Sequence, residues 1–129
     1  MGNSITQQRR PGCFLVSEAQ GHLSRHGAWI AAGQVLEIGT VLGQIAATKK
    51  YRALTLGASD GSQIATAILY DAVDTSTGDA MGQITDQYCE VNGAELVWPE
   101  SISAEQRRLA IQQLAHPVND KDGKGIIVR

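Results

Sequence analysis

Apolar residues come along this chain in short bursts separated by glycine, aspartate and asparagine turns. Residues 13–16, Cys-Phe-Leu-Val, form one burst, long enough for a single strand, and residues 28–31, Ala-Trp-Ile-Ala, form a second that ends at Gly33. Val35, Leu36 and Ile38 then precede Gly39, and Thr40, Val41 and Leu42 lead to Gly43. A glycine inside a strand pattern marks a bulge, a bend or a close backbone approach. This stretch therefore predicts a strand that bends twice, a shape suited to a small barrel or clip and ill suited to a flat sheet. Residues 49–54 read as a further strand, and Ser59-Asp60-Gly61-Ser62 as a turn, because Asp-Gly readily takes positive φ. Residues 64–70 follow as an apolar run compatible with a buried strand or a helix; its shortness and the turn before it favour the strand. A polar loop spans 74–79, an alternating segment spans 84–91 and is turned by Asn92-Gly93, and residues 95–98 form a short strand stopped by Pro99.

One helix is signalled. Ser103-Ala104-Glu105-Gln106 fits a capping box with Ser103 as N-cap. Ala110, Ile111, Leu114 and Ala115 recur at helical spacing, and His116 before Pro117 ends the element. A charged loop covers 119–125, and residues 126–128, Ile-Ile-Val, form a final strand that needs a neighbour. The sum is a mostly β domain with one late α-helix. Residues 1–12, polar and closed by Pro11-Gly12, read as a loose N-terminal arm before a single domain over 13–129.

Composition agrees with one globular unit. The chain has 129 residues, of which 43% are hydrophobic and 19% charged. A chain of that length buries roughly two-thirds of its unfolded surface, enough for a core without metal or disulfide help. The formal net charge is −2. Nucleic acid binding would call for clustered Lys and Arg on one face, and the short spot at Gln7-Gln8-Arg9-Arg10 does not supply it. No apolar run approaches the ~18 residues of a membrane span, and no secretory signal is visible, so a reducing cytoplasm is the expected place of synthesis. Two cysteines make no framework. Cys13 and Cys89 each border a strand-like run, where a buried thiol is the common fate, and a single bridge between them stays open.

Candidate chemistry is sparse. His22 and His26 are four apart, a metal-binding spacing on a helix, but Gly21 and Gly27 flank them and no third ligand is near. Asp71, Asp74, Asp79 and Asp86 make an acidic stretch without the alternating oxygens and glycine of a calcium loop. Asp122-Gly123-Lys124-Gly125 lacks the earlier glycine and the following Ser or Thr of a phosphate loop. No Gly-x-Ser-x-Gly elbow occurs, and neither cysteine has a histidine that sequence can point to. No metal or cofactor is expected. Trp29 and Trp98 fit either a core or a set of interface anchors.

Three segments carry a resemblance: "EIGTVLG" at 37–43, "SDGSQIATAILYDAVD" at 59–74 and "LVWPESISAEQRRLA" at 96–110. In that order, and with Phe14-Leu15-Val16-Ser17-Glu18 followed by Ser24-Arg25 ahead of them, they resemble the lambda-type head decoration proteins of tailed phages over roughly residues 14–128. The resemblance implies a small β-clip-like domain with a helix, assembled as a homotrimer. It implies a structural protein on the outer surface of the virion, made in the host cytoplasm. Its partner would be the major capsid protein of the expanded head, cemented against the pressure of packaged DNA. The N-terminal arm of such proteins orders on the capsid by strand addition, and Phe14, Leu15 and Val16 are the residues best suited to that contact here. This chain departs from a wholly disordered arm, since residues 13–16 are apolar enough to be ordered beforehand. A cementing protein needs contact area and symmetry, because three linked weak sites gain factors of about 10² or more in avidity. Two other classes compete. Trimeric dUTP pyrophosphatases have related architecture but need arginine- and glycine-bearing phosphate motifs and an aspartate that this chain lacks in the right surroundings. A generic host-derived or tail-associated β-module would bind another protein without the capsid.

Overall fold

The computed structural model describes residues 13–18, 25–86, 89–115 and 125–128, with the backbone alone for 16–18. Among the described residues the strands in chain order are β1 (Leu15–Glu18), β2 (Arg25–Ile30), β3 (Val35–Leu36), β4 (Val41–Gln44), β5 (Tyr51–Ala53), β6 (Ala65–Leu69), β7 (Val73–Asp74), β8 (Ala80–Thr85), β9 (Cys89–Val91) and β10 (Ile126–Val128), and one α-helix, α1 (Ala104–Ala115), lies before β10. Five strands close into a barrel in the order β2-β5-β4-β6-β8. A three-stranded sheet, β1-β9-β10, and a two-stranded ribbon, β3-β7, complete the fold.

The apolar runs without polar alternation belong to strands covered on both sides. Leu42, Ala67 and Leu69 point into the barrel and meet Ile30 and Ile84 there. Their chain neighbours Val41 and Ile68 point outward into a second core with Phe14, Leu54, Val91, Leu96, Leu114 and Ile126. That second core lies between the barrel wall, helix α1 and the three-stranded sheet. A strand buried on both faces needs apolar side chains at successive positions, so residues 64–70 carry a strand and not a helix.

The double bend expected around Gly39 and Gly43 takes two different forms. Gly39 has φ +88° and forms the turn into β4. Gly43 sits where the β4–β6 register slips: Leu42 opposes Ala67, but Gly43 opposes Ala65, leaving Thr66 as the extra residue of a bulge. The Ala65 N–H released at that bulge donates to Gln113 Oε1 of α1, 2.9 Å away, so the helix completes the strand it covers. The capping box forms as the sequence predicts. Gln106 N–H donates to Ser103 Oγ at 3.1 Å, and Ser103 N–H donates to Gln106 Oε1 at 2.9 Å. Of the expected apolar helix face, Ala110 and Leu114 are buried, while Ile111 and Ala115 are half-buried.

Several expectations are corrected. The segment 84–91 is not one strand: β8 ends at Thr85 in the barrel and β9 starts at Cys89 in the other sheet. Asn92-Gly93 is not a hairpin turn. Asn92 Oδ1 accepts from Ala94 N–H at 3.0 Å and caps a single 3-10 turn over Gly93–Glu95. Residues 95–98 do not form a strand either, because Glu95 ends that turn and only Val97 pairs, in a parallel bridge with Thr40. The loop expected at 74–79 begins inside β7, where Asp74 opposes Val35. The final strand finds its neighbour in β9, which it joins in parallel. The two cysteines are unbridged; Cys89 is buried as expected, whereas Cys13 is exposed. Residues 1–12, His22, His116 and the 119–125 loop as far as residue 124 lie outside the described residues.

Candidate contact surface

The residues expected to attach the chain to a partner start at the three-stranded sheet. Phe14 is 0% exposed and lies in the core between barrel and helix. Its carbonyl accepts from Asn92 N–H at 2.8 Å. Phe14 is therefore an internal anchor of the described fold. An aromatic ring next to a paired strand finds more contact inside its own molecule than at an edge. Leu15 is half-buried against the same core, and Val16 lies within β1. Strand β1 pairs only with β9 in its sheet, so it is a terminal strand whose far edge faces no other strand among the described residues.

The two tryptophans separate. Trp29 lies on the outward face of β2, 51% exposed. It opposes Met81 of β8 in register, and Met81 is 56% exposed. Two residues back, Gly27 leaves room for the methionine: a Cβ there would stand 3.3 Å from Met81 Sδ. Trp29 and Met81 thus form a cross-strand apolar pair on the outside of a closed barrel. Cross-strand neighbours lie about 5 Å apart at Cβ and act as one unit of surface. Trp98 instead packs against the core and carries the Arg107 guanidinium 5.4 Å from its ring centre. Together with Val35, Leu36, Thr40, Val97 and Pro99 it lines a groove of about 270 Å³ between the ribbon and the barrel wall.

Neither Met81 nor Val35, which is 74% exposed, emerges from sequence reasoning as a contact residue. For Met81 the signal is the alternation Ala80-Met81-Gly82-Gln83 ahead of Ile84, which continues β8 backward and places Met81 outward. Val35 carries no such signal, because a valine beginning a strand is ordinarily read as core.

The carboxylates of the acidic stretch are mostly engaged by the protein itself. Asp74 accepts from Ser76 N–H at 2.9 Å and from Ser76 Oγ at 2.6 Å, which holds its carboxyl below the usual range. Asp79 pairs with Lys50 and accepts from Ala32 N–H at 2.8 Å, with the same direction of shift. Asp86 meets His26 Nε2 at 3.1 Å. Arg25, the neighbour of His26, turns to the opposite face of β2 and lies 4.6 Å from the centre of the Tyr70 ring. Among the described residues no three His, Cys, Asp or Glu side chains converge as a metal site would require. No helix among them is long and apolar enough to cross a membrane. What the surface offers is apolar area and a strand edge.

A family model, bacteriophage lambda head decoration protein D, matches residues 4–117. The chain belongs to this family. No curated protein matches it. The family is one of structural proteins of the phage head, which places this chain's role in capsid decoration at the capsid surface of the virion. The matched span runs from ahead of β1 through the end of α1, so both the terminal strand and the Trp29–Met81 pair fall within it.

Proposed function

We propose that this protein is a cement protein of the expanded phage head. It binds the outer surface as a homotrimer, contacts the major capsid protein and stabilises the shell against the pressure of packaged DNA. It has no catalytic duty and is held in the host cytoplasm until heads mature. Family membership across residues 4–117 is the observation that carries this reading. Residues 13–129 act as one β-clip-like head-decoration domain, and residues 1–12 act as its arm.

The described surface supports a division of labour. Strand β1 offers an edge, and an added strand gains affinity from backbone hydrogen bonds and specificity from alternate side chains. Phe14 fixes that edge to the core, while Leu15 and Val16 extend along it toward the coat protein. Trp29 and Met81 add the kind of aromatic and thioether area that is enriched at interface centres. Apolar burial at roughly 25 cal/mol per Å², less the ordering cost, makes each contact modest, and the symmetry of a trimer multiplies it.

The test is attachment of the purified protein to matched phage heads, read by co-sedimentation beside native mass of the free protein. The expected result is a trimer that binds DNA-filled expanded heads and leaves compact procapsids bare. A protein that is monomeric at every concentration and ignores expanded heads overturns the proposal.

A further inference from the structure

The barrel closes where β2 meets β5, and that joint is its thinnest. On one side all six residues of β2 pair in register with β8, from Arg25 with Thr85 to Ile30 with Ala80. On the other side β2 pairs with β5 at a single position, Ile30 with Tyr51, in parallel. Just beyond it, Ala31 N–H donates to the Tyr51 carbonyl at 2.8 Å. A parallel ladder has evenly spaced bonds, so the next one would run from Ala53 N–H to the Ala31 carbonyl. Instead, Ala53 N–H donates to Gln34 Oε1 at 2.9 Å, and Gln34 Nε2 donates to the Ala31 carbonyl at 2.9 Å. The Gln34 carboxamide thus stands in the ladder in place of the direct bond. We propose that the β2–β5 seam is the joint at which the barrel opens ahead of global unfolding, and that the Gln34 side chain is its latch. The latch is independent of any reading of the capsid contact.

The chemistry of the relay selects the side chain. A carboxamide accepts at its oxygen and donates at its nitrogen, as a peptide unit does, whereas an ionised carboxylate of the same length only accepts. Gln34 is held in place by its own main chain. Gly33, at φ +90°, turns the chain so that residue 34 can reach back to residue 31. Gly33 N–H then donates to the Thr75 carbonyl at 2.6 Å, and Thr75 N–H donates to the Gln34 carbonyl at 2.7 Å. The Thr75 hydroxyl, fully buried, accepts from Gln34 N–H at 3.0 Å and lies 2.7 Å from the same Ala31 carbonyl. Asp79 straps the seam from outside, accepting from Ala32 N–H at 2.8 Å and pairing with Lys50, the residue before β5. That pair is partly exposed, and such pairs contribute little. The inner relay through Gln34 therefore governs the joint.

Packing behind the seam is thin as well. Ala32 and Gly33 are exposed, and Ala31, Gln34, Tyr51, Arg52 and Ala53 are only half-buried, whereas Leu42, Ala67, Ile68 and Leu69 on β4 and β6 are fully buried. A cavity of about 170 Å³ adjoins the joint, with Gln34, Ile45 and Arg52 in its wall. Segments with few buried apolar contacts open at a lower free energy than the core. Parting here breaks the Ala31–Tyr51 bond and the two carboxamide bonds, while β2 stays on β8 and β5 stays on β4.

Native-state hydrogen exchange of the intact protein at pH 7, followed amide by amide by NMR, tests this. The reporter is Ala31 N–H, whose acceptor Tyr51 lies across the seam and is untouched by a change at Gln34. The references are Leu54 N–H and Leu69 N–H, which donate to the Val41 and Thr40 carbonyls on the two sides of β4. In the wild type, Ala31 should be protected at least about tenfold less than either reference. Gln34→Ala removes both carboxamide bonds, and Gln34→Glu keeps the acceptor for Ala53 but loses the donor to the Ala31 carbonyl. Each should lower Ala31 protection by about a further tenfold. Should the alanine variant fail to fold, the glutamate variant and the wild-type difference decide. Equal protection of the three amides in the wild type, or Ala31 protection unchanged in either variant, overturns the latch.

Discussion

Gly43 of β4 lies against the backbone of Ser62: a Cβ at position 43 would stand 2.7 Å from Ser62 Cα and closer still to its carbonyl oxygen. The obstacle is main chain, which cannot swing aside as a side-chain tip can. Ser62 is itself pinned, its N–H and hydroxyl both donating to Asp60 Oδ1 at 2.9 and 2.5 Å. Gly43→Ala should therefore cost at least about 2 kcal/mol through overpacking, read as a lowered urea midpoint at unchanged slope. A midpoint within error of the wild type would mean that the 59–62 turn can shift.

Phe14 separates anchoring from contact. Phe14→Ala should destabilise the fold by about 3–5 kcal/mol, the cost of emptying a buried aromatic site. Deleting residues 1–12 should leave thermal stability nearly unchanged and weaken attachment to expanded heads. Calorimetry and head co-sedimentation on both variants distinguish the two roles.

Trp29 should behave in the opposite way. Half of its surface already faces solvent, so Trp29→Ser should change stability by less than about 1 kcal/mol. An interface anchor of this type loses at least about tenfold in affinity on truncation. Titration of expanded heads with the variant checks it, and unaltered binding would remove Trp29 and its neighbour Met81 from the contact.

The helix start gives a sharper number. Ser103→Ala removes one half of the observed capping box and should cost about 1 kcal/mol. Ser103→Asp should recover most of it, since aspartate caps as well and suits the positive end of the helix. Urea denaturation of the pair measures both.

Acid should act through three surface carboxylates. Asp60 is held below the usual carboxylate range first by the Ser62 hydroxyl, Asp74 by the Ser76 hydroxyl and Asp79 by Lys50. A carboxyl with a depressed folded pKa contributes stability above its unfolded pKa, near 4, and loses that contribution as pH falls through the folded value. Urea midpoints should therefore fall between about pH 4 and pH 2, and Asp60→Asn should flatten part of the fall.

The sequence was most legible where one local rule decides the outcome. Ser103 and Gln106 form their cap because both partners lie within one turn of chain. Gly39 forms a turn because few other residues accept its φ. Residues 64–70 were harder, and the answer came from Ile68 facing one core while Ala67 and Leu69 face another. The split between Thr85 and Cys89 was not legible. Alternation continues across it, and only tertiary pairing assigns the two halves to different sheets. The burial of Phe14 was open for a related reason: an apolar run beside a polar arm looks the same whether its ring turns outward or inward. The pairing of Trp29 with Met81 depends on the β2–β8 register, which no local signal in either strand specifies.

The shared strand β9 has a consequence for the order of synthesis. The barrel draws on residues 25–85, a continuous stretch that can close as soon as it has left the ribosome. The three-stranded sheet cannot, for its outer strands flank that stretch: β1 emerges before it and β10 long after. Such far-apart pairing is slow to form. The nascent protein should thus close its barrel before the three-stranded sheet is complete, and β1 should wait unpaired until β9 follows the barrel out.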